Sequence, residues 1–277
     1  MEFNHLDPIG NEEEPRRLFP RNHKLRRGIY ILPSVFTVAN LLCGYYAILA
    51  TLEGSVGDMD NASKAIGFAI LFDSLDGRIA RALGANSDFG REFDSLADVV
   101  SFGIAPAFLA YAWGVRNLPL SEAGRAVHIY QLGWLVSFFF VVCCAWRLAR
   151  FNIQGMAPGG SGFFVGMPTP AAAGMIAATV HFVTLPIVSV TQSVLWLLLI
   201  VALGTLMSST VRHYGFKNIR WTRRQSSRAL VVMALLFGAI VFYSDITLMV
   251  IASAYCVHGI VLEVVRLVRH RLTSRLA

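Results

Sequence analysis

Residues 73–98 read DSLDGRIARALGANSDFGREFDSLAD, in which Asp73, Asp76, Gly77, Ala80, Arg81, Gly90, Asp94 and Asp98 are spaced as D-x2-D-G-x2-A-R-x8-G-x3-D-x3-D. The apolar run GFAILF (67–72) precedes this stretch and VVSFGIAPAFLAYAW (99–113) comes after it. An Asp at the centre of a membrane helix is unfavourable by about 2.5–3.5 kcal/mol on insertion scales, so four amount to roughly 10 kcal/mol. Acids held at the edge of hydrocarbon therefore call for neutralising cations.

The spacing shows how the acids can meet. Asp73, Asp76, Gly77 and Ala80 fall at i, i+3, i+4 and i+7, one face of a helix; Asp94 and Asp98, at i and i+4, share a face of another. On one straight helix the outermost acids would stand ~37 Å apart, at about 1.5 Å per residue. The breaker-rich segment Gly84-Ala85-Asn86-Ser87-Asp88-Phe89-Gly90 lets the chain double back, so a helical hairpin brings both pairs together. Clustered carboxylates suit hard cations such as Mg2+ or Mn2+, which commonly hold substrate phosphate as well. Gly77 and Ala80 clear the same face for close approach, and Arg81 supplies a fixed positive charge for phosphate.

This pattern is identical, position for position, to the signature of the CDP-alcohol phosphotransferases, and the chain is identified as resembling that family. Its members are integral membrane enzymes that move a phosphoryl-alcohol unit from a cytidine nucleotide to an acceptor alcohol. The resemblance implies two divalent ions, Mg2+ or Mn2+, held by Asp73, Asp76, Asp94 and Asp98, with Asp98 also the general base toward the acceptor hydroxyl. It further implies that Gly77, Ala80, Arg81, Ser87 and Gly90 contact the CDP-linked lipid. The alternative reading of the stretch is a solvated, salt-bridged turn between helices.

Composition agrees with a membrane setting. The chain has 277 residues, 55% of them hydrophobic, with a mean hydropathy of +0.57, which describes an all-α polytopic bundle. The net charge of +7 comes from basic residues flanking apolar runs, which suits anionic headgroups and argues against nucleic acid as a partner. Cys43, Cys143, Cys144 and Cys256 lie in apolar runs without metal-ligand spacing and read as free buried thiols.

The hydrophobic pattern predicts eight spans: 29–52, 64–83, 93–115, 127–151, 169–188, 191–211, 229–244 and 246–268. Residues 1–28 form a polar, basic tail without a cleavage-site pattern. Residues 29–220 make a six-helix catalytic core, and residues 221–277 add two helices and a basic end. Basic residues gather in the tail, at 212–228 and after 265, whereas 53–62 carries Glu53, Asp58 and Asp60 and 185–192 has no charge. By the positive-inside rule both termini and the acid hairpin face the cytoplasm, as expected for a multi-pass protein of the cell (inner) membrane.

Further segments narrow the acceptor. Pro33, Thr37, Asn40 and Gly44 form a small or polar stripe on the first span, which reads either as close packing or, by resemblance to bacterial phosphatidylserine synthases, as a lining of the nucleotide site that includes Thr37 and Asn40. Ser101–Ala107, Arg147–Asn152 and Gly166–Ala173 resemble, in order, the SFG-APA, RLARFN and GxPxPAAA segments of the same group. Ser209–Lys217 resembles its Ser…RY-x-SFK segment with Gly215 in place of Ser, so the likeness spans about residues 30–220. It implies CDP-diacylglycerol and L-serine as substrates within membrane lipid, and it is compatible with a homodimer. Arg147, Arg150 and Asn152, on the same membrane side as the hairpin, are candidates for serine, with Arg150 expected first and Arg147 failing that to pair its carboxylate, since a guanidinium pairs a carboxylate bidentately. The alternatives are the same chemistry with glycerol 3-phosphate, inositol phosphate or choline, and a divalent-cation transporter whose acids form an ion path. His181 and His258 stand alone in apolar spans and read as hydrogen-bonded core residues.

Overall fold

The structure, a computed structural model, describes residues 23–83, 87–118, 123–154, 163–209, 212–214, 234–236 and 238–276. It is a helical bundle. Helix α1 (His23–Glu53) and helix α2 (Val56–Leu83) form an antiparallel pair. Gly54, at φ +79°, ends α1 in the left-handed region that only glycine enters without strain. Ser55 and Asp58 then cap α2 reciprocally: the Asp58 N–H donates to Ser55 Oγ at 3.1 Å and the Ser55 N–H to Asp58 Oδ2 at 3.3 Å. Buried alanines let the two helices approach closely: Ala47 and Ala50 on one side, Ala62, Ala65 and Ala69 on the other.

After the turn comes α3 (Asp88–Asp98), then a π-helical segment (Val99–Ile104) and α4 (Ala105–Gly114), together one continuous span. The wide turn shows in the Ala105 N–H, which reaches back five residues to the Val100 carbonyl. Pro106 gives a physical reason for it, since a proline cannot donate to Phe102 as an α-helix would require. Helix α5 (Ala123–Gln154) is next, then α6 (Thr169–Val183), α7 (Val190–Ser208) and α8 (Ser244–Leu276). Strands β1 (Phe163–Val165) and β2 (Arg212–Tyr214) pair antiparallel, with Val165 opposite Arg212, and tie the start of α6 to the end of α7.

The core runs through all of these helices, with Phe102, Leu109, Phe140, Ile176, Ile200 and Leu203 fully buried. Trp113 of α4 meets Trp196 of α7 edge to face, their ring centroids 4.9 Å apart, and the Trp196 indole donates to the Ala110 carbonyl at 2.9 Å. The outer surface is apolar as well: Leu42, Tyr45, Leu49, Trp134, Phe138 and Leu195 are exposed. An apolar exterior on a packed apolar core belongs in a bilayer.

Among the described residues, four helical stretches are long and apolar enough to cross a membrane: Val35–Glu53, Asp88–Gly114, His128–Ile153 and Val190–Ser208. The expected eight-span bundle accommodates them. Helix α2 falls outside the set because Asp58, Asp60, Lys64, Asp73, Asp76 and Arg78 dilute its apolar character, and α6 because it has only 15 residues. The seventh expected span, 229–244, is helical at 234–236 and 238–242, while 229–233 and 237 lie outside the described residues.

At the end of the bundle away from the acid hairpin, three helices are clasped together. His181 of α6 bonds through Nδ1 to Asp60 of α2 and through Nε2 to Ser244 Oγ of α8, the latter at 2.8 Å. Lys64 holds the other Asp60 oxygen at 2.6 Å. Burial pushes the Asp60 carboxyl up, but hydrogen bonds and charge from Lys64 and His181 outweigh it and hold the group below the usual carboxylate range. His181 is thus a bonded core residue as expected, whereas His258 lies on an exposed face of α8.

Candidate active site

The hairpin of α2 and α3 brings carboxylate oxygens of Asp73, Asp94 and Asp98 within 4.8 Å of one another. Ser87 explains why the chain re-enters a helix at that point: it is the N-cap of α3, its Oγ accepting the Gly90 N–H at 3.0 Å. A Cβ on Gly90 would stand 2.9 Å from that oxygen, so the cap itself favours glycine there. On α2, a Cβ on Gly77 would meet nothing within 4 Å, which leaves the helix surface beside the acids open. The side chains of Ala80 and Arg81 lie outside the described residues.

Helix α1 reaches both acid pairs through one face. The Thr37 hydroxyl donates to Asp76 Oδ2, and Asn40 Nδ2 donates to Asp98 Oδ1 at 3.1 Å. All four are buried; Asp76 is 5% exposed and Asp98 8%. The other Asn40 side-chain atom, its oxygen, and Asp94 Oδ1 are buried without a hydrogen-bond partner among the described residues. Among the described residues no Lys, Arg or His nitrogen lies within ion-pair distance of the four carboxylates.

Like charges this close repel, and burial removes the water that would screen them. An orphaned carboxylate oxygen within an all-oxygen donor set fits a hard divalent cation, with Asp73, Asp94 and Asp98 as the residues to hold it.

Arg147 of α5 is the buried cation on the next helix. It is 8% exposed, donates from Nη1 to Thr169 Oγ1 at 3.3 Å and leaves Nε unpartnered, and its charge acts on both Asp73 and Asp98. Tyr255 of α8 lies close enough to interact electrostatically with it. Arg150, one turn on, instead donates to the Ser208 and Ser209 carbonyls at 3.1 Å each, which caps the end of α7. Asn152 bonds Ser95 of α3, its Nδ2 donating to Ser95 Oγ at 2.9 Å. The three residues grouped by sequence therefore divide by position: Arg147 beside the acids, Arg150 on α7 and Asn152 on the back of α3. Thr169 lies in the Gly166–Ala173 segment, but its bond to Arg147, 22 residues away, has no signal in the sequence.

A family model for CDP-alcohol phosphatidyltransferase matches residues 30–206. The chain belongs to this family. Within the CDP-alcohol phosphatidyltransferases it is similar to the CDP-diacylglycerol–serine O-phosphatidyltransferase of Helicobacter pylori, 34% identical over 240 residues that cover 84% of this chain and 91% of the relative. The enzyme of that name from Methanocaldococcus jannaschii is 33% identical over 69% of this chain and 78% of its own. An archaetidylserine synthase from Methanothermobacter thermautotrophicus is 37% identical over 55% and 58% respectively. The family match covers all four acids, Arg147 and Arg150; α8 lies beyond it.

Proposed function

We propose that this CDP-alcohol phosphatidyltransferase is a phosphatidylserine synthase, transferring the phosphatidyl group from CDP-diacylglycerol to L-serine with release of CMP. The observation that carries the choice of acceptor is the buried Arg147 beside the acid cluster, in a chain whose relatives named for serine align along most of its length. In the transfer the serine hydroxyl oxygen forms a bond to the lipid-bearing phosphorus. The phosphorus–oxygen bond to CMP breaks, CMP leaves with that electron pair, and the hydroxyl proton passes to Asp98. Divalent ions held by the aspartates, Asp76 among them, would neutralise phosphate charge and favour in-line displacement.

The chain's own residues do the remaining work. Asn40 holds Asp98 by its amide, and Thr37 holds Asp76. Arg147 pairs with the serine carboxylate, and the open helix surface at Gly77 receives the nucleotide phosphates; the family signature adds Ala80, Arg81, Ser87 and Gly90 as contacts to the nucleotide lipid. The acyl chains extend sideways into the bilayer. The excess of basic residues in alternate loops supports a cytoplasmic site.

The test is purified protein with labelled CDP-diacylglycerol and a panel of alcohols. Serine is expected to release CMP fastest, and ethanolamine, which lacks the carboxylate, to be a poor acceptor. Preferential use of glycerol 3-phosphate would refute the serine assignment and leave the metal chemistry standing.

A further inference from the structure

We propose that the π-helical turn after Asp98 is a positioning device, with Ser101 and Gly44 acting through Asn40 to fix the Asp98 carboxylate. The proposal deepens the reading of Asp98 as proton acceptor and rests on it.

The geometry forms a closed loop of contacts. Asp98 is the last residue of α3, and the wide turn begins at Val99. Within that turn Ser101, Phe102 and Gly103 are all buried. Ser101 is turned toward α1, where its Oγ–H donates to the Asn40 carbonyl at 2.9 Å. Gly103 is turned toward α5, where an added Cβ would stand 3.2 Å from Cys144 Sγ. On α1, a Cβ on Gly44 would come within 2.7 Å of Ser101 Cα, a backbone atom that cannot swing aside. Glycine at 44 therefore lets the π turn lie directly on α1.

Asn40 connects the two halves. Its backbone carbonyl receives Ser101 and its side-chain amide holds Asp98, while its side chain is fully buried. An extra residue in a helical turn rotates the helix before it by about 100° relative to the helix after it, at 3.6 residues per turn. The π turn thus lets α4 keep its packing on the core while α3 turns Asp94 and Asp98 toward Asp73. Ser101 carries no charge and its hydroxyl bonds the Asn40 carbonyl, so its effect on chemistry passes through Asn40.

The experiment is a double-mutant cycle on the full-length protein in detergent, measuring kcat and KM for both substrates. Mn2+ affinity is read separately by electron paramagnetic resonance. Ser101→Ala should lower kcat about five- to tenfold while both KM values and the Mn2+ affinity stay within about twofold. In an Asn40→Ala background the same substitution should add less than about twofold, because the two act on one group. Gly44→Ala, whose methyl would meet the Ser101 backbone as well as its hydroxyl, should lower kcat more than Ser101→Ala.

Unchanged kcat in Ser101→Ala, or effects that multiply fully with Asn40→Ala, would overturn the proposal, as would a fully active Gly44→Ala. Failure of the underlying reading looks different: Asp98→Asn would itself keep turnover. If Asp98→Asn is inactive and Ser101→Ala is silent, only the positioning inference falls.

Discussion

At one end of α2, Asp60 is met by Lys64 and His181; about 20 Å along the same helix, Asp73 faces Asp94 and Asp98 with no cation in contact among the described residues. The residue type is the same and the surroundings are opposite. Asp60 has both oxygens bonded to positively charged or hydrogen-donating groups, so nothing further is needed to keep it charged. The second group has an orphaned Asp94 oxygen, two neutral donors from α1, and Arg147 on an adjoining helix. Chemistry belongs at the end where the protein leaves its charges uncompensated, because a ligand can supply what is missing there. At the compensated end, acids serve as mortar.

The comparison breaks most visibly under chelation. Excess EDTA should reduce CMP release to background, and Mg2+ or Mn2+ should restore it; full activity in chelator would mean the acid cluster needs no ion. Asp98→Asn should cut turnover by the roughly 10²–10⁴ typical of a lost general base while nucleotide affinity stays within about tenfold. Arg147→Lys should raise the KM for serine about tenfold, one charged hydrogen-bond pairing at ~1.5 kcal/mol, and leave that for CDP-diacylglycerol nearly unchanged. Equal effects on both substrates would remove Arg147 from the acceptor pocket.

At the other end, His181→Ala should lower thermal stability by about 1–3 kcal/mol and leave turnover within about threefold, read by a melting curve and the CMP assay together. A large loss of turnover in a stable variant would show that the clasp is coupled to catalysis. The smallest effect has the opposite sign. Without metal, Asp73→Asn should raise the melting midpoint by roughly 2–4 °C, as expected for about 1 kcal/mol of relieved repulsion, while weakening Mn2+ binding. A lower midpoint would mean that the acids are compensated after all.

The contrast was half legible in the sequence. Helical spacing of Asp73 with Asp76 and of Asp94 with Asp98, and the breakers between the pairs, were enough to foresee the hairpin, since both depend on local periodicity. The Asp60–His181–Ser244 clasp was not legible, because its members are 121 and 63 residues apart in sequence and no periodicity links them. For the same reason the sequence puts Arg150 ahead of Arg147 for serine, whereas in the structure Arg150 is taken up by the Ser208 and Ser209 carbonyls, 58 and 59 residues away, and Arg147 lies buried beside the acids. The π turn could be suspected at Pro106 but not located, since a proline disturbs the preceding turn in several ways.

The clasp also sets an order on biogenesis. Asp60 and His181 leave the ribosome well before Ser244, and 63 residues at about 5–20 residues per second is a delay of roughly 3–13 s. During that interval α2 and α6 can already pair through Asp60 and His181, but the outer imidazole nitrogen has no Ser244 to meet. A nascent chain stalled in this window presents a half-satisfied histidine at the clasp end of the bundle. Arrival of α8 fills that position with Ser244 and brings Tyr255 within electrostatic range of Arg147, so one helix serves both the clasp and the neighbourhood of the acids.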